Sequence, residues 1–276
     1  MVRSLNWGLL ALLALSHSIP ALALSSASPI LAPEVGPDCA QGFKHDGKIT
    51  GTNVTVAGVP TYYSKPAKST TGPKKVILFF ADIYSPFYIN NQLLQDYFAS
   101  EGFHVLGIDY FFGDPIQAHD GEPGFNQTAW INKSRAQADE SLPKWTEAVK
   151  KQYGADAKFA AVGYCFGGPY VLEISATDNV VAGAFAHPSG VTEDHFNKLT
   201  KPLLLSTAEL DAAFPVASRN RALEILATNK AKYHAQLFSG VGHGFATRAD
   251  LSDENAVWAK DQSAKTVVEW FKRFTT

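Results

Sequence analysis

One short apolar stretch, residues 159–169, constrains the fold of this chain more than any other. Residues 159–164 are all small or apolar, which predicts a strand buried on both faces of a parallel sheet. The run stops at Cys165, and two glycines follow one residue later, so a helix can turn back closely beside the strand. The stretch therefore predicts a strand, a tight turn with Cys165 at its apex, and a helix.

The position of Cys165 predicts a chemical role as well as a turn. A nucleophile between small residues at a strand-to-helix turn is the nucleophile elbow of α/β-hydrolases, in which the apical side chain is held exposed above the sheet. The positive end of a helix dipole favours the thiolate form of a cysteine. A buried structural cysteine beside a packing glycine pair explains the isolated pattern equally well, so other parts of the chain have to decide.

The rest of the chain predicts a single α/β domain over residues 39–276. With 276 residues, of which 46% are hydrophobic, it is long enough for one large core. Strand and helix alternate from residue 75 onward, which predicts a mostly parallel sheet with helices on both faces. An antiparallel hairpin is expected over 52–63. Strands are expected at 75–81, 104–110, 181–186, 202–207 and 233–238, and helices at 90–100, 128–152 (broken near Pro143), 216–229 and 256–273.

The N-terminus has the features of a secretory signal peptide over residues 1–23. Arg3 precedes an apolar core, and Ala21-Leu-Ala23 has the small-residue pattern of a cleavage site. We expect a secreted protein, a retained N-terminal anchor being the alternative, and a flexible segment over 24–38. Three asparagines begin N-glycosylation sequons, namely Asn53, Asn126 and Asn132, and they predict a glycoprotein.

Charge and cysteine content exclude several classes of partner. The formal net charge is −2, so no basic surplus indicates nucleic acid, and no later apolar run is long enough to predict a membrane span. Cys39 and Cys165 are too few for a disulfide framework, and we expect two free thiols. The histidines and acids lack ligand spacing, so neither a metal nor a cofactor is expected. We expect a small-molecule partner and a monomer or homodimer.

Three polar residues follow predicted strands at the edge of the sheet where α/β proteins place their chemistry. Asp82 follows strand 75–81, Asp211 follows 202–207 and His243 follows 233–238. The chain order of Cys165, Asp211 and His243 is that of nucleophile, acid and histidine in α/β-hydrolases. His243 would accept the thiol proton while Asp211 orients the imidazole. Taken singly, Asp211 is also explained as a helix cap and His243 as an ordinary loop histidine.

These residues together resemble the dienelactone hydrolases, in particular the secreted fungal type. The resemblance runs from about Cys39 to Phe274, and four motifs in order carry it. They are Gly163-Tyr-Cys-Phe-Gly-Gly168, Asp109-Tyr-Phe-Phe-Gly-Asp-Pro115, Glu209-Leu-Asp-Ala-Ala-Phe-Pro215 and Gly242-His-Gly-Phe245. The resemblance implies an α/β-hydrolase fold and an enzyme that opens enol-lactones such as dienelactone with a Cys-His-Asp triad.

The resemblance also implies two auxiliary roles. A carboxylate after the first central strand would keep the resting cysteine neutral; bacterial members have Glu there, whereas this chain has Asp82. Arginines would bind the carboxylate of the substrate, and Arg248 is the match, with Arg135 a weaker second. Because these positions differ from the bacterial pattern, ester or lactone hydrolysis is better supported than dienelactone itself.

The elbow geometry predicts an oxyanion hole from the backbone N–H groups of Phe166 and Ile83. Aromatic side chains near the expected mouth suit an apolar planar substrate, and we select Tyr84, Phe112 and Phe245 as binding residues. Two alternatives stay open. One is a general esterase for small aryl or short-acyl esters, and the other is a secreted non-catalytic binding protein that retains the fold.

Overall fold

The computed structural model describes residues 27–67 and 72–276. Ten strands occur in these residues: β1 (Ile30–Ala32), β2 (Thr52–Val56), β3 (Val59–Ser64), β4 (Lys75–Phe80), β5 (His104–Ile108), β6 (Lys158–Cys165), β7 (Ala182–Pro188), β8 (Val191–Thr192), β9 (Leu203–Ala208) and β10 (Tyr233–Phe238). The α-helices in the same residues are α1 (Ile89–Ser100), α2 (Gln127–Tyr153), α3 (Gly168–Ser175), α4 (Glu193–Asn197), α5 (Val216–Thr228), α6 (Phe245–Arg248) and α7 (Glu254–Phe274). The predicted signal peptide lies outside the described residues.

Eight of the strands form one sheet in the order β10-β9-β7-β6-β4-β5-β3-β2. The six strands from β10 to β5 run parallel, whereas β3 and β2 form an antiparallel hairpin at the edge. The predicted mostly parallel sheet and edge hairpin are therefore confirmed. The strand that carries Cys165, β6, lies between β4 and β7 near the middle of the sheet, so the loops of several strands converge beside it.

Side chains of the central strands alternate between two apolar layers, one on each face of the sheet. In β4, Leu78 and Phe80 face a layer that also contains Trp145 of α2. Ile77 and Phe79 face the opposite layer. Helices α3 and α5 contribute to the first layer, and α1 and α7 contribute to the second. Because both faces are covered, the strands are apolar along their whole length, as parallel strands require.

Helix α2 runs without interruption through Pro143, so the predicted break there is wrong. Proline removes one backbone hydrogen bond and frees the carbonyl of the residue four positions earlier. Pro143 and Asp139 are both exposed, so water can satisfy that carbonyl. Trp145 lies two residues further on, fully buried, and donates through Nε1 to Oγ1 of Thr61 at 2.9 Å. Packing on the far side of the proline therefore holds the helix together.

The prediction that residues 24–38 form no folded element is wrong from residue 27 on. Ile30–Ala32 forms strand β1, which pairs antiparallel with Val191–Thr192. Leu31 and Val35 are buried against the body of the protein. A segment rich in Ser, Ala and Pro looks unstructured in isolation, but this one is ordered by a partner strand that lies more than 150 residues away.

The surface bears on two further predictions. Asn53, Asn126 and Asn132 are all exposed, and glycosylation at these positions stays a prediction. None of the helices in the described part of the chain has the length and apolar character needed to cross a bilayer.

Candidate active site

The turn after β6 has the backbone of a nucleophile elbow. Strand β6 ends at Cys165, whose φ of +48° lies in the left-handed region, and α3 begins at Gly168. A Cβ atom on Gly163 would lie 2.4 Å from the carbonyl oxygen of Gly167, and one on Gly167 would lie 2.1 Å from that of Phe80. Both contacts are too short for any side chain. The two glycines are therefore required by the close packing of strand, turn and helix, and the strained conformation at Cys165 is the kind found at functional sites.

Cys165 is fully buried, so the expectation of an exposed apical thiol is wrong for this structure. The N-terminal segment lies over the site, because the 3-10 turn Pro37–Ala40 brings the buried thiol of Cys39 to 3.2 Å from Nε2 of His243. The Sγ atom of Cys165 has its own polar neighbour in Oγ of Ser189, at 3.8 Å. An elbow by itself exposes its nucleophile, but here a distant segment covers it.

Asp211 and His243 form a buried pair. The Nδ1 atom of His243 lies 3.0 Å from Oδ1 of Asp211, and both side chains are 1% exposed. Since a carboxylate only accepts hydrogen bonds, Nδ1 carries the proton and Nε2 points to the thiols. The same Oδ1 accepts from the backbone N–H groups of Ala213 and Phe214 at 3.0 and 3.2 Å. Asp211 therefore caps its own turn and orients the imidazole, which joins the two roles that the sequence left as alternatives.

Three functional atoms meet at the centre of the site. The Sγ atoms of Cys39 and Cys165 and a ring nitrogen of His243 all lie within 4.8 Å of one another. In this arrangement Nε2 of His243 forms its hydrogen bond with Cys39, and the Sγ atom of Cys165 lies within 4.8 Å of both. Sequence patterns predict Cys165 and His243 in the site but predict no role there for Cys39. The only signal for Cys39 in the sequence is that it is one of two cysteines in the chain.

Burial dominates the electrostatics of these groups. It raises the pKa of the Cys165 thiol well above its ordinary value, and the neighbouring Cys39 acts in the same direction. Contact with Cys165 lowers the pKa of Cys39 and outweighs burial there. Burial lowers the pKa of His243, but the proximity of Cys165 and the carboxylate of Asp211 outweigh it and raise that pKa to about 10. Because burial keeps Cys165 a neutral thiol at rest, the charge that raises the pKa of His243 most appears only once the thiolate has formed, and His243 is available as a base before that.

Asp82 forms a buried ion pair with Arg248, and both side chains are 1% exposed. Its Oδ1 atom accepts from the backbone N–H of Tyr84 at 3.1 Å and from Nδ2 of Asn91 at 2.9 Å, and Oδ2 accepts from Oγ1 of Thr247 at 3.0 Å. Within the described part of the chain, no hydrogen bond joins Asp82 to Cys165. The family resemblance implies that Asp82 keeps the resting Cys165 thiol neutral, and this stays a prediction. The structure instead shows Asp82 paired with Arg248.

Arg248 holds the N-terminal segment in this structure, and its predicted contact with a substrate carboxylate stays a prediction. Its Nε donates to the carbonyl of Gln41 at 2.8 Å and its NH2 group donates to that of Cys39 at 2.9 Å. Tyr84 does the same, because its hydroxyl donates to the carbonyl of Ala40 at 2.8 Å while Arg248 lies 4.7 Å above its ring. The two predicted binding residues thus fix the turn that carries Cys39.

The two predicted oxyanion donors have the properties that the role requires. Ile83 and Phe166 are fully buried, and the backbone N–H of neither one has an acceptor among residues 27–67 and 72–276. Buried backbone donors are nearly always paired, so two free ones in the turns that follow the neighbouring strands β4 and β6 are suited to an oxyanion. Arg135 supports this loop, because it donates to the carbonyl of Phe166 at 2.8 Å and lies 3.7 Å from the centre of its ring. A role for Arg135 in substrate binding stays a prediction.

The remaining predicted aromatic residues lie outside the catalytic cluster. Phe112 is 42% exposed and lines a surface groove with Pro60 and Phe87, while Phe245 is buried in the core. His187 is fully buried, neither of its ring nitrogens has a partner in the part of the chain that the structure describes, and its ring centre lies 5.0 Å from that of His243. Burial lowers the pKa of His187 well below its ordinary value, which keeps it neutral, as expected for a structural residue beside the site.

Comparison with known proteins agrees with this geometry. The model of the dienelactone hydrolase family matches residues 59–275. The chain is 37% identical over 250 residues to Dienlactone hydrolase 1 of Gibberella moniliformis, which covers 88% of this chain and 95% of the relative. It is 35% identical to Dienlactone hydrolase 2 of the same fungus over 84% of this chain and 92% of the relative. The chain belongs to the dienelactone hydrolase family.

A solved structure supports the fold of this family member. The putative dienelactone hydrolase from Klebsiella pneumoniae superposes with a TM-score of 0.68 at 17% identity, over 83% of this chain and all of that one. The predicted α/β-hydrolase fold is thereby confirmed. As a member of the dienelactone hydrolase family, the protein is a hydrolase that acts on ester or lactone bonds. The family match begins at residue 59, so Cys39 and the segment that covers the site precede it.

Proposed function

We propose that the protein is a secreted hydrolase of carboxylic esters and lactones in which Cys165 is the nucleophile, His243 the base and Asp211 the residue that orients it. One observation carries the proposal: the buried pair of His243 and Asp211 presents a ring nitrogen within 4.8 Å of a thiol on a nucleophile elbow. The backbone N–H groups of Ile83 and Phe166, buried and without an acceptor in the described residues, would supply the oxyanion donors that acyl transfer needs.

In the first half of the reaction, Nε2 of His243 takes the proton of the Cys165 thiol and the thiolate attacks the carbonyl carbon of the substrate. The negative charge that forms on the carbonyl oxygen is stabilised by the N–H groups of Ile83 and Phe166, each worth about 10²- to 10³-fold in rate. Collapse of the tetrahedral intermediate breaks the C–O bond, and the imidazolium gives its proton to the leaving oxygen. Before the first proton transfer, Nε2 has to exchange its contact with Cys39 for one with Cys165.

In the second half, water attacks the thioester on Cys165 and gives a proton to His243. The second tetrahedral intermediate expels the thiolate, which recovers its proton from the imidazolium and returns the site to its resting state. When the substrate is a lactone, the leaving hydroxyl stays on the same chain, so a single hydroxy acid is released. Asp211 stabilises the imidazolium in both halves because it accepts the hydrogen bond from Nδ1.

The contacts of Arg248 favour a second candidate function within the same chemistry, namely a general esterase for small neutral aryl or short-acyl esters. Its guanidinium is already bound to Asp82 and to the carbonyls of Cys39 and Gln41, and the residue is 3% exposed. A substrate carboxylate would have to displace the N-terminal segment to reach it. We therefore expect neutral esters and lactones to be hydrolysed faster than carboxylated lactones.

The test compares the two thiols under the same conditions. Cys165→Ala should lower hydrolysis of p-nitrophenyl acetate on the order of 10³-fold or more, because the nucleophile is gone. Cys39→Ala is the matched control and should still hydrolyse the ester, since it leaves the elbow intact. Iodoacetamide should inactivate the wild type and the Cys39→Ala variant. Turnover by Cys165→Ala equal to that of the wild type would exclude Cys165 as the nucleophile.

Secretion and glycosylation are part of the same proposal and rest on the sequence. The export signal over residues 1–23 predicts a mature protein that begins after Ala23. Expression of the full chain in a fungal host, followed by N-terminal sequencing of protein from the culture medium, tests the cleavage. A mass that falls on treatment with an N-glycosidase tests the glycans. A protein that stays inside the cells with its leader attached would contradict both.

A further inference from the structure

The cluster of Cys39, Cys165 and His243 has more thiol groups than ester hydrolysis uses. The proposed mechanism needs one thiol and one imidazole, yet the fold brings a second thiol to 3.2 Å from Nε2 of His243. All three side chains are buried, and their three candidate ligand atoms lie within 4.8 Å of one another. These residues come from three distant segments: the N-terminal turn, the elbow and the loop before α6.

We propose that Cys39, Cys165 and His243 form a binding site for Zn²⁺ or a similar thiophilic divalent cation, and that the bound ion holds the enzyme inactive. Two thiolates and one imidazole are a ligand set that Zn²⁺ prefers, with a fourth position left for water. Zinc bonds of about 2.3 Å to sulfur and about 2.0 Å to nitrogen place tetrahedral ligand atoms roughly 3.5 to 3.8 Å apart. The three atoms need only small shifts to reach that spacing.

The surroundings of the cluster support a metal ion. Asp211 accepts the hydrogen bond from Nδ1 of His243, which leaves Nε2 as the ligand atom and is the usual arrangement behind a metal-bound histidine. The contacts of Arg248 with the carbonyls of Cys39 and Gln41 hold the N-terminal turn in place. The site is thus assembled before an ion enters, which lowers the entropic cost of binding.

Binding must be accompanied by release of protons. Each thiol gives up a proton when its sulfur bonds to the ion, so Zn²⁺ replaces two protons and the ion with its two thiolates is neutral. Because protons are released, affinity should increase as the pH rises. The ion would take the lone pair of the nucleophile and that of the base, and would also tie the N-terminal turn to the elbow.

Inhibition rests on the proposed function, whereas metal binding rests only on the three ligands, so the experiment measures them separately. The reduced protein is titrated with Co²⁺, whose thiolate complexes give a sulfur-to-metal absorption band in the near ultraviolet, and then with Zn²⁺ in competition with a chromogenic chelator. The wild type should bind one equivalent and show the band. Cys39→Ser keeps the size of the side chain and should bind Zn²⁺ at least about 100-fold more weakly. Loss of a residue that only hydrogen-bonds to a metal ligand already lowers metal affinity about 10- to 100-fold, and loss of a ligand itself should cost no less.

A surface histidine provides the matched control. His119 lies between the carboxylates of Asp114 and Glu122, at 2.8 and 2.5 Å, so it could bind a cation unspecifically. His119→Ala should leave the cobalt band and the Zn²⁺ affinity unchanged. A wild type without the band, or a Cys39→Ser variant that binds Zn²⁺ as tightly as the wild type, would overturn the site.

The activity assay then separates the two proposals. Hydrolysis by the wild type should be lost as one equivalent of Zn²⁺ is added and should return with a chelator, while Cys39→Ser should need at least about 100-fold more Zn²⁺. If the wild type binds one Zn²⁺ through both thiols and keeps full activity, the inhibitory role is refuted. If the metal-free protein hydrolyses no ester or lactone, the proposed function fails, and the cobalt band still decides the metal site.

Discussion

Replacement of Arg248 by methionine tests how the site is held together. Arg248→Met keeps most of the side-chain volume but removes the positive charge next to Asp82, with which it forms an ion pair at 1% exposure. It also removes the donors that reach the carbonyls of Cys39 and Gln41. The variant therefore leaves a buried carboxylate without its cation and two carbonyls without their donors.

The expected loss of unfolding free energy is about 3 to 5 kcal/mol, the usual result of removing one partner of a buried ion pair. Asp82 keeps its hydrogen bonds from Tyr84, Asn91 and Thr247, which limits the loss to that range. The double variant Asp82→Asn/Arg248→Met removes both charges. It should lose less free energy than the two single variants added together, because the unpaired charge is gone.

Urea unfolding followed by tryptophan fluorescence measures these differences. Lys144→Met is the matched control, since Lys144 pairs with Glu140 on the surface at 49% and 82% exposure and should cost less than about 1 kcal/mol. The alkylation rate of Cys39 should rise in Arg248→Met, because the N-terminal turn loses two anchors. A loss as small as that of Lys144→Met, with unchanged alkylation, would show that the pair does not hold the turn.

Two further predictions follow from the site. Gly167→Ala should cost at least about 3 kcal/mol or prevent folding, because its Cβ would lie 2.1 Å from the carbonyl oxygen of Phe80, whereas Gly36→Ala, with no atom within 4 Å, should change the Tm little. Cys165 and Asp211 together raise the pKa of His243 above its ordinary value of about 6.5, so the protonated imidazole should stabilise the fold fully below pH ~6.5 and lose that effect as the pH rises through the raised pKa. The Tm difference between wild type and His243→Gln should accordingly be larger at pH 6 than at pH 10, and an equal difference at both would contradict the pairing with Asp211.

The sequence alone determined the elbow, because its geometry depends on residues that are neighbours in the chain. A buried apolar strand, a residue at the apex and glycines on either side admit only one tight backbone path, and the coordinates show it at Cys165. Strand alternation likewise predicted the parallel sheet with its edge hairpin. The placement of Asp211 and His243 after successive strands followed from the same rule, since parallel strands end at one edge of the sheet.

The tertiary structure alone decided what covers the site. Cys39 and His243 are 204 residues apart, and no local pattern links them. Arg248 looked like a ligand for substrate because of its position after His243, but the direction of a long side chain depends on which acceptors the folded chain places around it. Here those acceptors are Asp82 and the backbone of the N-terminal turn. Local sequence sets backbone geometry, whereas burial and pairing depend on contacts between segments that the chain brings together only when it folds.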